Sequence, residues 1–594
     1  MINQKSIAVL PFVNMSNNID NDYLCDGITE EIINALTTVK GLKVIARTSS
    51  FAFKNKNIDV RHIGNQLGVS TVLEGSIRVF NKRIRINVQL IRTNNGFQVW
   101  SQNFNRKLDD IFELQDEISI IIAEQIRENF GHLDISKHIS VIGTKNINAY
   151  KFYSKGRAYQ LNWALEDYIK AINCYKQSIE IDKNFYDAYF ALSRSYSILS
   201  SWGFIEKKDG ENKASYYLNE GLKVNPTSYL GYFSQASLSF WNNWNYTKGI
   251  DYLKKTLSKN PSLAIAYEGI SEIYIATNQL NQALYNINKA IEISPLSPNH
   301  FFTKGNIYFL KKEYTKAIQY LEECLRIDPN FTLAIETKLA CYLLLNDRSK
   351  FRNYLATMPQ LISPEICDLL FKLINKEQVD NAIDSLAIDV EASFKSIYPW
   401  HFYFLIHSGK IEKALNIFED KMKLKIGQLV NFQLDPFLEP LRQHKRFQLI
   451  EKQIISSGLI SFKKEESNKI QEETSNLLDE VEITKYKLVL DRFIKNNKPY
   501  LNSKLSLKEL GNNIKLHPNK LSWLLNAEYD KNFNDFINQY RLNHFMMIAL
   551  DPKFKHITIL GLAYDSGFNS KSVFNTYFKK VEGVTPSQWI KSQK

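Results

Sequence analysis

Three kinds of hydrophobic periodicity follow one another along the chain. Up to about residue 131, strand-like apolar runs alternate with stretches of helical spacing. SIAVLPF (6–12) is an apolar run ended by Pro11, EEIINALTTV (30–39) has helical spacing, and KVIAR (43–47) reads as a second strand. VRHIGNQLG (60–68) is a short helix closed by glycine. TVLEGSIRVF, RIRINVQLI and FQVWSQNF alternate as hairpin strands do, with turns at Asn81-Lys82 and Asn94-Asn95-Gly96. An amphipathic helix with a capping aspartate follows over 108–130. The pattern predicts a compact α/β domain over residues 1–131.

From 146 to 460 the spacing is helical and repetitive. Pro226, Pro261, Pro295 and Pro329 recur at intervals of 35, 34 and 34. Twelve residues before each stands a small one: Ala214, Gly249, Ala283 and Ala317. Twelve before the last three of these stand Ser237, Ser271 and Gly305, and Phe240, Tyr274 and Tyr308 follow three later. This is the tetratricopeptide pattern, in which small residues let paired helices approach and proline ends the second helix. Gly156, Tyr159, Ala171 and Tyr175 mark an earlier copy. Five good repeats are expected, with a degenerate one after Pro329 and blurred helix pairs beyond Pro364. The repeats read as a groove for a protein or peptide partner, or as a spacer between other domains.

Residues 461–483 are charged and free of Gly and Pro in their main stretch, reading as a solvated linker or a pairing helix. The last segment, 484–594, holds two helix-turn-helix patterns. In the first, Ser506 and Glu509 have capping-box spacing, Gly511 is the small residue at the helix crossing, and Pro518 opens the second helix. Leu521, Leu524 and Leu525 share its inner face, leaving Asn519, Lys520, Ser522, Trp523 and Asn526 outside. The second pattern repeats the logic with Ala563, Gly567 and Phe568. Phe574, Tyr577 and Phe578 face inward, and Lys571, Ser572, Asn575, Thr576 and Lys579 outward. A long apolar-faced helix over 533–550 separates the two. Either outer helix is of a size to enter a major groove.

Charge sharpens this division. The chain has 594 residues and a formal charge of +13. Residues 484–594 hold 18 Lys/Arg against 8 Asp/Glu, so nearly all the excess sits in the last segment, as in a polyanion binder or a lysine-rich solvated surface. Five scattered cysteines without a C-x-x-C pair argue against a disulfide framework or zinc site and fit a reducing, cytoplasmic setting. No run approaches the ~18 apolar residues of a membrane helix. There is no P-loop, G-x-S-x-G or H-E-x-x-H, and His444, His517 and His544 stand apart, so no catalytic, metal or cofactor site is expected.

Two resemblances give these segments names. IAVLPFVNMS, DGITEEIINAL, RTSSFAFK, VSTVLEGSIR and FQVWSQNFNRKLDDIFELQDEIS resemble the TolB-N-terminal-like (FlgO-like) domain of bacterial proteins, which implies a non-catalytic sensing or contact module. LSLKELGNNIKLHPNKLSWLLN, KNFNDFINQYRLNH, ITILGLAYDSGFNSKSVFNTYFKK and GVTPSQW resemble the AraC/XylS-type regulators. That resemblance implies base reading by Asn519, Ser522 and Trp523 in the first motif and by Lys571, Ser572 and Thr576 in the second. It implies phosphate contacts from Lys520, Lys579 and the helix N-termini, and Ser570 and Asn575 complete the candidate DNA-binding set. Gly511 departs from the family's usual alanine. Trp523 stands where a polar or basic residue is commoner, so it reads through apolar contact or packs on a neighbouring helix. The expectation is a multidomain chain: an α/β domain, an all-α tetratricopeptide solenoid and an all-α double helix-turn-helix domain. Its function would be sequence-specific transcriptional regulation on double-stranded DNA, or else a protein scaffold with a degenerate tail. A homodimer stays open.

Overall fold

The computed structural model describes residues 5–16, 21–135, 143–160, 165–358, 364–379, 389–394, 398–454 and 477–593. The strands β1 (Ser6–Val9), β2 (Val13–Asn14), β3 (Lys43–Val44), β4 (Thr71–Phe80), β5 (Arg83–Arg92) and β6 (Gln98–Lys107) form one sheet. Its order is β3-β1-β4-β5-β6, with β2 beside β4. β1 runs parallel to β3 and β4, while β4, β5 and β6 are antiparallel. Phe80 pairs with Arg83 across a two-residue turn in which Asn81 takes the left-handed conformation (φ 54) that asparagine tolerates.

Helices α1 (Asn21–Thr37), α2 (Arg47–Phe51), α3 (Val60–Leu67) and α4 (Ile111–Phe130) cover this sheet. α1 and α4 cover one face, burying Ile28, Ile32, Ile118 and Ile122 against Ile84, Ile86 and Val88. α3 and the turn after α2 cover the other, with Phe53, Ile63 and Leu67 packed around Ala8, Ile45 and Val72. Two expectations change. The strand expected over 43–47 stops at Val44, because Arg47 already begins α2 and its guanidinium pairs with the buried Glu30 at 3.2 Å. The helix expected from 108 starts at Ile111 after a single 3-10 turn, and Asp110 makes no capping bond.

The central region is a run of helix pairs: α5 (Ile147–Gln160) with α6 (Leu165–Ile181), α7 (Tyr186–Ser201) with α8 (Lys207–Val224), α9 (Tyr229–Ser237) with α10 (Tyr246–Lys259), α11 (Ala264–Ala276) with α12 (Leu280–Ile293), α13 (Pro298–Leu310) with α14 (Tyr314–Ile327), and α15 (Thr332–Leu344) with α16 (Arg348–Leu355). Each periodic proline stands two residues beyond its second helix. The small residues do what the spacing requires: Ala214, Ala283 and Ala317 are fully buried, and a Cβ on Gly156 would sit 2.6 Å from the Tyr175 ring.

A closing segment follows: α17 (Pro364–Ile374), α18 (Val390–Ser393), α19 (Trp400–His407), α20 (Ile411–Lys423), α21 (Glu439–Arg442) and α22 (Lys445–Ile454). It packs back along the repeats, with Phe432 stacked on Trp244 and Tyr398 edge-on to Phe309. This doubling back explains why the period blurs beyond Pro364.

The N-terminal domain sits against the repeats at two distant places. Glu30 pairs with Arg157 of α5, and Gly27 lets α1 approach Tyr150 and Ser154. At the other contact the Ala46 N–H donates to Ile293 O (3.0 Å) and the Leu296 N–H to Ser49 Oγ (2.8 Å). The repeats therefore curve around this domain, and part of their surface is already taken by the chain itself.

The C-terminal region is all helical: α23 (Glu480–Asn497), α24 (Leu507–Asn513), α25 (Pro518–Tyr529), α26 (Phe533–Leu550), α27 (Ile559–Asp565), α28 (Lys571–Glu582) and α29 (Pro586–Ser592). Most of the charged segment over 461–483 lies outside the described residues. Its end is helix, because Asp479 and Glu482 form a complete capping box opening α23.

Candidate nucleic-acid interface

Each helix-turn-helix has its own core. Leu507, Leu510, Leu521, Leu524 and Leu525 close the first, with Phe533 and Phe536 from the N-terminal half of α26. Leu562, Ala563, Phe568, Phe574 and Phe578 close the second, with Leu542 and Phe545 from its C-terminal half. One helix thus serves both cores and fixes their spacing. Arg541, near the centre of α26, is buried and donates from Nε to Tyr500 O (2.7 Å) and from Nη2 to Asn502 O (2.8 Å). Burial holds its pKa down to about 10, so it remains a cation at neutral pH. This tie between the motifs had no signature in the sequence.

Local capping places the reading helices. His517 Nδ1 accepts the Asn519 N–H at the start of α25, and Ser570 Oγ accepts the Val573 N–H at the start of α28. Ser570 is thereby engaged as a cap. Gly583 ends α28 at φ 73, and Thr585 with Gln588 makes the capping box of α29.

The two candidate readers differ sharply in access. On α28, Lys571, Ser572, Thr576 and Lys579 are exposed and Asn575 is half-buried, while Phe574 and Phe578 are locked edge-to-face beneath them. A hollow beside them is lined by Lys571, Asn575, Lys579, Thr585 and Ser587. On α25 the corresponding face is covered. Ser522 is 3% exposed, Asn519 bonds to the N-terminal domain, and Lys520 pairs with Glu482 at 3.1 Å. Trp523 is half-buried and packs against the first core.

Gly511 also finds its reason here. A Cβ at this position would lie 2.7 Å from Leu516 O, a backbone atom of the turn that follows. The turn is too tight for the family's alanine. Gly511→Ala should gain helix propensity of ~1 kcal/mol but lose more to overpacking, ~1–3 kcal/mol. The net expectation is a loss near ~1 kcal/mol, read as a roughly fivefold drop in amide-exchange protection across α24. Unchanged or increased protection would contradict it.

Comparison with known proteins agrees with this geometry. Residues 510–592 match the model of a helix-turn-helix domain, and residues 3–121 match the second domain of HilA/YgeH-like transcriptional regulators. Residues 153–185 and 299–331 match tetratricopeptide repeats. The chain carries the domains of a helix-turn-helix transcriptional regulator. For its N-terminal domain the matching model is the HilA/YgeH-like one rather than the TolB-like domain that the sequence motifs resemble. Among curated proteins, "Putative adenylate cyclase 3" of Rhizobium meliloti (strain 1021) is 35% identical over 241 residues, 40% of each chain. "Anaphase-promoting complex subunit 3" of Schizosaccharomyces pombe (strain 972 / ATCC 24843) is 25% identical over 181 residues, 30% of this chain and 26% of that protein. The chain therefore spans 40% of the length of the first relative and 26% of the second. The solved structure of PilW, a "widely conserved type IV pilus biogenesis factor", matches 36% of this chain and 92% of its own at 14% identity. Its TM-score is 0.29.

Proposed function

We propose that this chain is a sequence-specific, DNA-binding transcriptional regulator of the AraC/XylS type, whose N-terminal and repeat regions receive a signal from a partner. The observation that carries the reading is α28. Its N-terminal half exposes Lys571, Ser572 and Thr576 while aromatic packing fixes its other side. A rigid helix with polar side chains at its leading end is what a major groove accepts. The alternative, a protein scaffold with a degenerate tail, is disfavoured by that intact and open face. The repeats supply the surface for a protein partner. The kinship with a named cyclase does not alter a non-enzymatic reading, because the family models that match this chain are those of regulator and repeat domains. DNA as target puts the chain in the cytoplasm. Among the described residues no helix is long and apolar enough to cross a membrane, and no group of three or more His, Cys, Asp or Glu could hold a metal ion.

The test is selection of bound duplexes from random-sequence DNA by the purified full chain. A defined motif should emerge, with log affinity falling steeply with log salt. Lys571→Ala should relax preference at one base position, at a cost of ~1–3 kcal/mol, if it reads a base. Lys579→Ala should weaken all sites alike and lower the salt slope by ~1. Equal, weak binding to every sequence would refute the reading.

A further inference from the structure

We infer that the C-terminal end of α4, with residues 131–135 after it, is a docking surface for the first reading helix and holds that helix off DNA. The inference rests on the reading of α25 as a DNA-reading helix. It leaves α28 as the reader that is open in this state.

The Asn519 side chain is fully engaged at this surface. Its carbonyl oxygen accepts from Arg127 Nη1 (2.5 Å), and its amide donates to Asp134 Oδ1 (2.6 Å) and Ile135 O (3.3 Å). An asparagine reads adenine by accepting from N6 and donating to N7. Arg127 and Asp134 present the same donor and acceptor to the same carboxamide, so they occupy what a base edge would need. Ser522 lies three residues further along and is buried. Seven residues along, the Asn526 carboxamide stands 2.7 Å from where a Cβ on Gly131 would be. Gly131, at φ +109, is the residue that permits this approach.

Two further bonds fix the rest of the motif. The Leu507 N–H at the start of α24 donates to Glu128 Oε1 (2.9 Å), and Asn532 Nδ2, at the cap of α26, donates to Asn129 O (3.0 Å). All three helices of the first motif are thereby tied to the end of one helix. The side chains that meet are Arg127, Glu128, Asp134, Asn519, Asn526 and Asn532. The bonds that hold the contact are all made by polar groups, which water solvates when they part, as suits a contact that must open. α4 also has a second contact at its other end, where Phe112 packs edge-on to Tyr150 of α5 at 5.6 Å. One 20-residue helix thus touches the repeats near its start and the first reader near its end. A partner that shifts the repeats has a rigid element through which to bias the docking.

The test compares the full chain with its full-length Glu128→Ala/Asp134→Ala variant, both used to select from random-sequence 30-bp duplexes. The wild type should enrich one compact block of bases. The variant should enrich two blocks about 10 bp apart and bind its selected duplex about tenfold more tightly. Amide exchange at Leu507 should rise in the variant without DNA. Asp134 is exposed, so Asp134→Ala alone should fold and move each readout the same way to a smaller extent. The inference is overturned if wild type and variants enrich the same motif with equal affinity, whether of one block or two, or if Leu507 exchange is unchanged. Enrichment of no sequence by any of them would instead refute the DNA-binding reading, and this inference with it.

Discussion

Gly567→Ala is expected to dismantle the second reader. Gly567 lies at φ +90 in the turn between α27 and α28, a region that costs an L-residue roughly 1–2 kcal/mol. The larger cost is steric. A Cβ there would fall 2.2 Å from Tyr500 O and 2.9 Å from Leu501 Cα, both backbone atoms of the turn from the other motif. That turn cannot yield, because Arg541 grips Tyr500 O and Asn502 O and the Tyr500 ring stacks on Tyr540. Something must move, and the neighbour with most to lose is Phe568, which anchors Phe574 at 5.1 Å. A destabilisation above ~4 kcal/mol follows, in the range kept for backbone strain and overpacking combined. Amide protection across α27 and α28 should collapse and DNA binding should be lost, while α24 and α25 keep their protection. Gly583→Ala is the control. It shares a positive φ (+73), but nothing lies within 4 Å of its Cβ position, so it should cost only about 1–2 kcal/mol. Equal effects of the two substitutions would show that conformation alone, and not the contact with Tyr500, governs this turn.

What was legible in the sequence was local. The inward sets Leu521/Leu524/Leu525 and Phe574/Tyr577/Phe578 followed from helical spacing, and all six are buried. The periodic prolines gave the helix pairs, and alternation gave β4 to β6. What was not legible depends on contacts between residues far apart in the chain. Nothing in the sequence around Arg127 marks it as a partner of Asn519, 392 positions away. Ser522 has outward spacing on its own helix and is buried all the same. The pairing of Lys520 with Glu482, 38 positions away, has no mark in the local spacing either. Gly511 looks like a weakened helix, yet the following turn requires it.

The full chain is expected to lose stability as pH rises from 6.5 to 8.5. Burial, with the charges of Glu30 and Asp187, pushes Glu31 up to about 8. Burial likewise raises Asp187, Glu128 and Glu336 to about 7 each. Ordinary values for these carboxyls are 4.5 for Glu and 3.8 for Asp. Between the ordinary and the raised value the folded chain holds more protons than the unfolded one, so stability falls with pH across that window. Buried histidines oppose this at lower pH: burial lowers His132 to about 4 from 6.5, and lowers His401, His407 and His544 as well. At pH 6.5 those imidazoles are half-protonated in the unfolded chain, so their opposition fades over about the next pH unit and leaves the carboxyls to dominate the rest of the window. Glu31 alone then contributes roughly 2 kcal/mol between pH 6.5 and 8, at ~1.4 kcal/mol per unit. Its position makes the effect local as well as global. α1, which carries Glu31 beside the Glu30–Arg157 pair, joins the N-terminal domain to the first repeats. Thermal unfolding should start several degrees lower at pH 8.5 than at 6.5, and amide exchange in α1 and α5 should rise over the same interval. Glu31→Gln keeps the shape without the proton, so it should flatten the slope and raise the melting temperature at pH 8.5. A melting temperature that is level or rises from 6.5 to 8.5, or a Glu31→Gln variant with the wild-type slope, would show that these carboxyls are ionised and solvated in the folded chain.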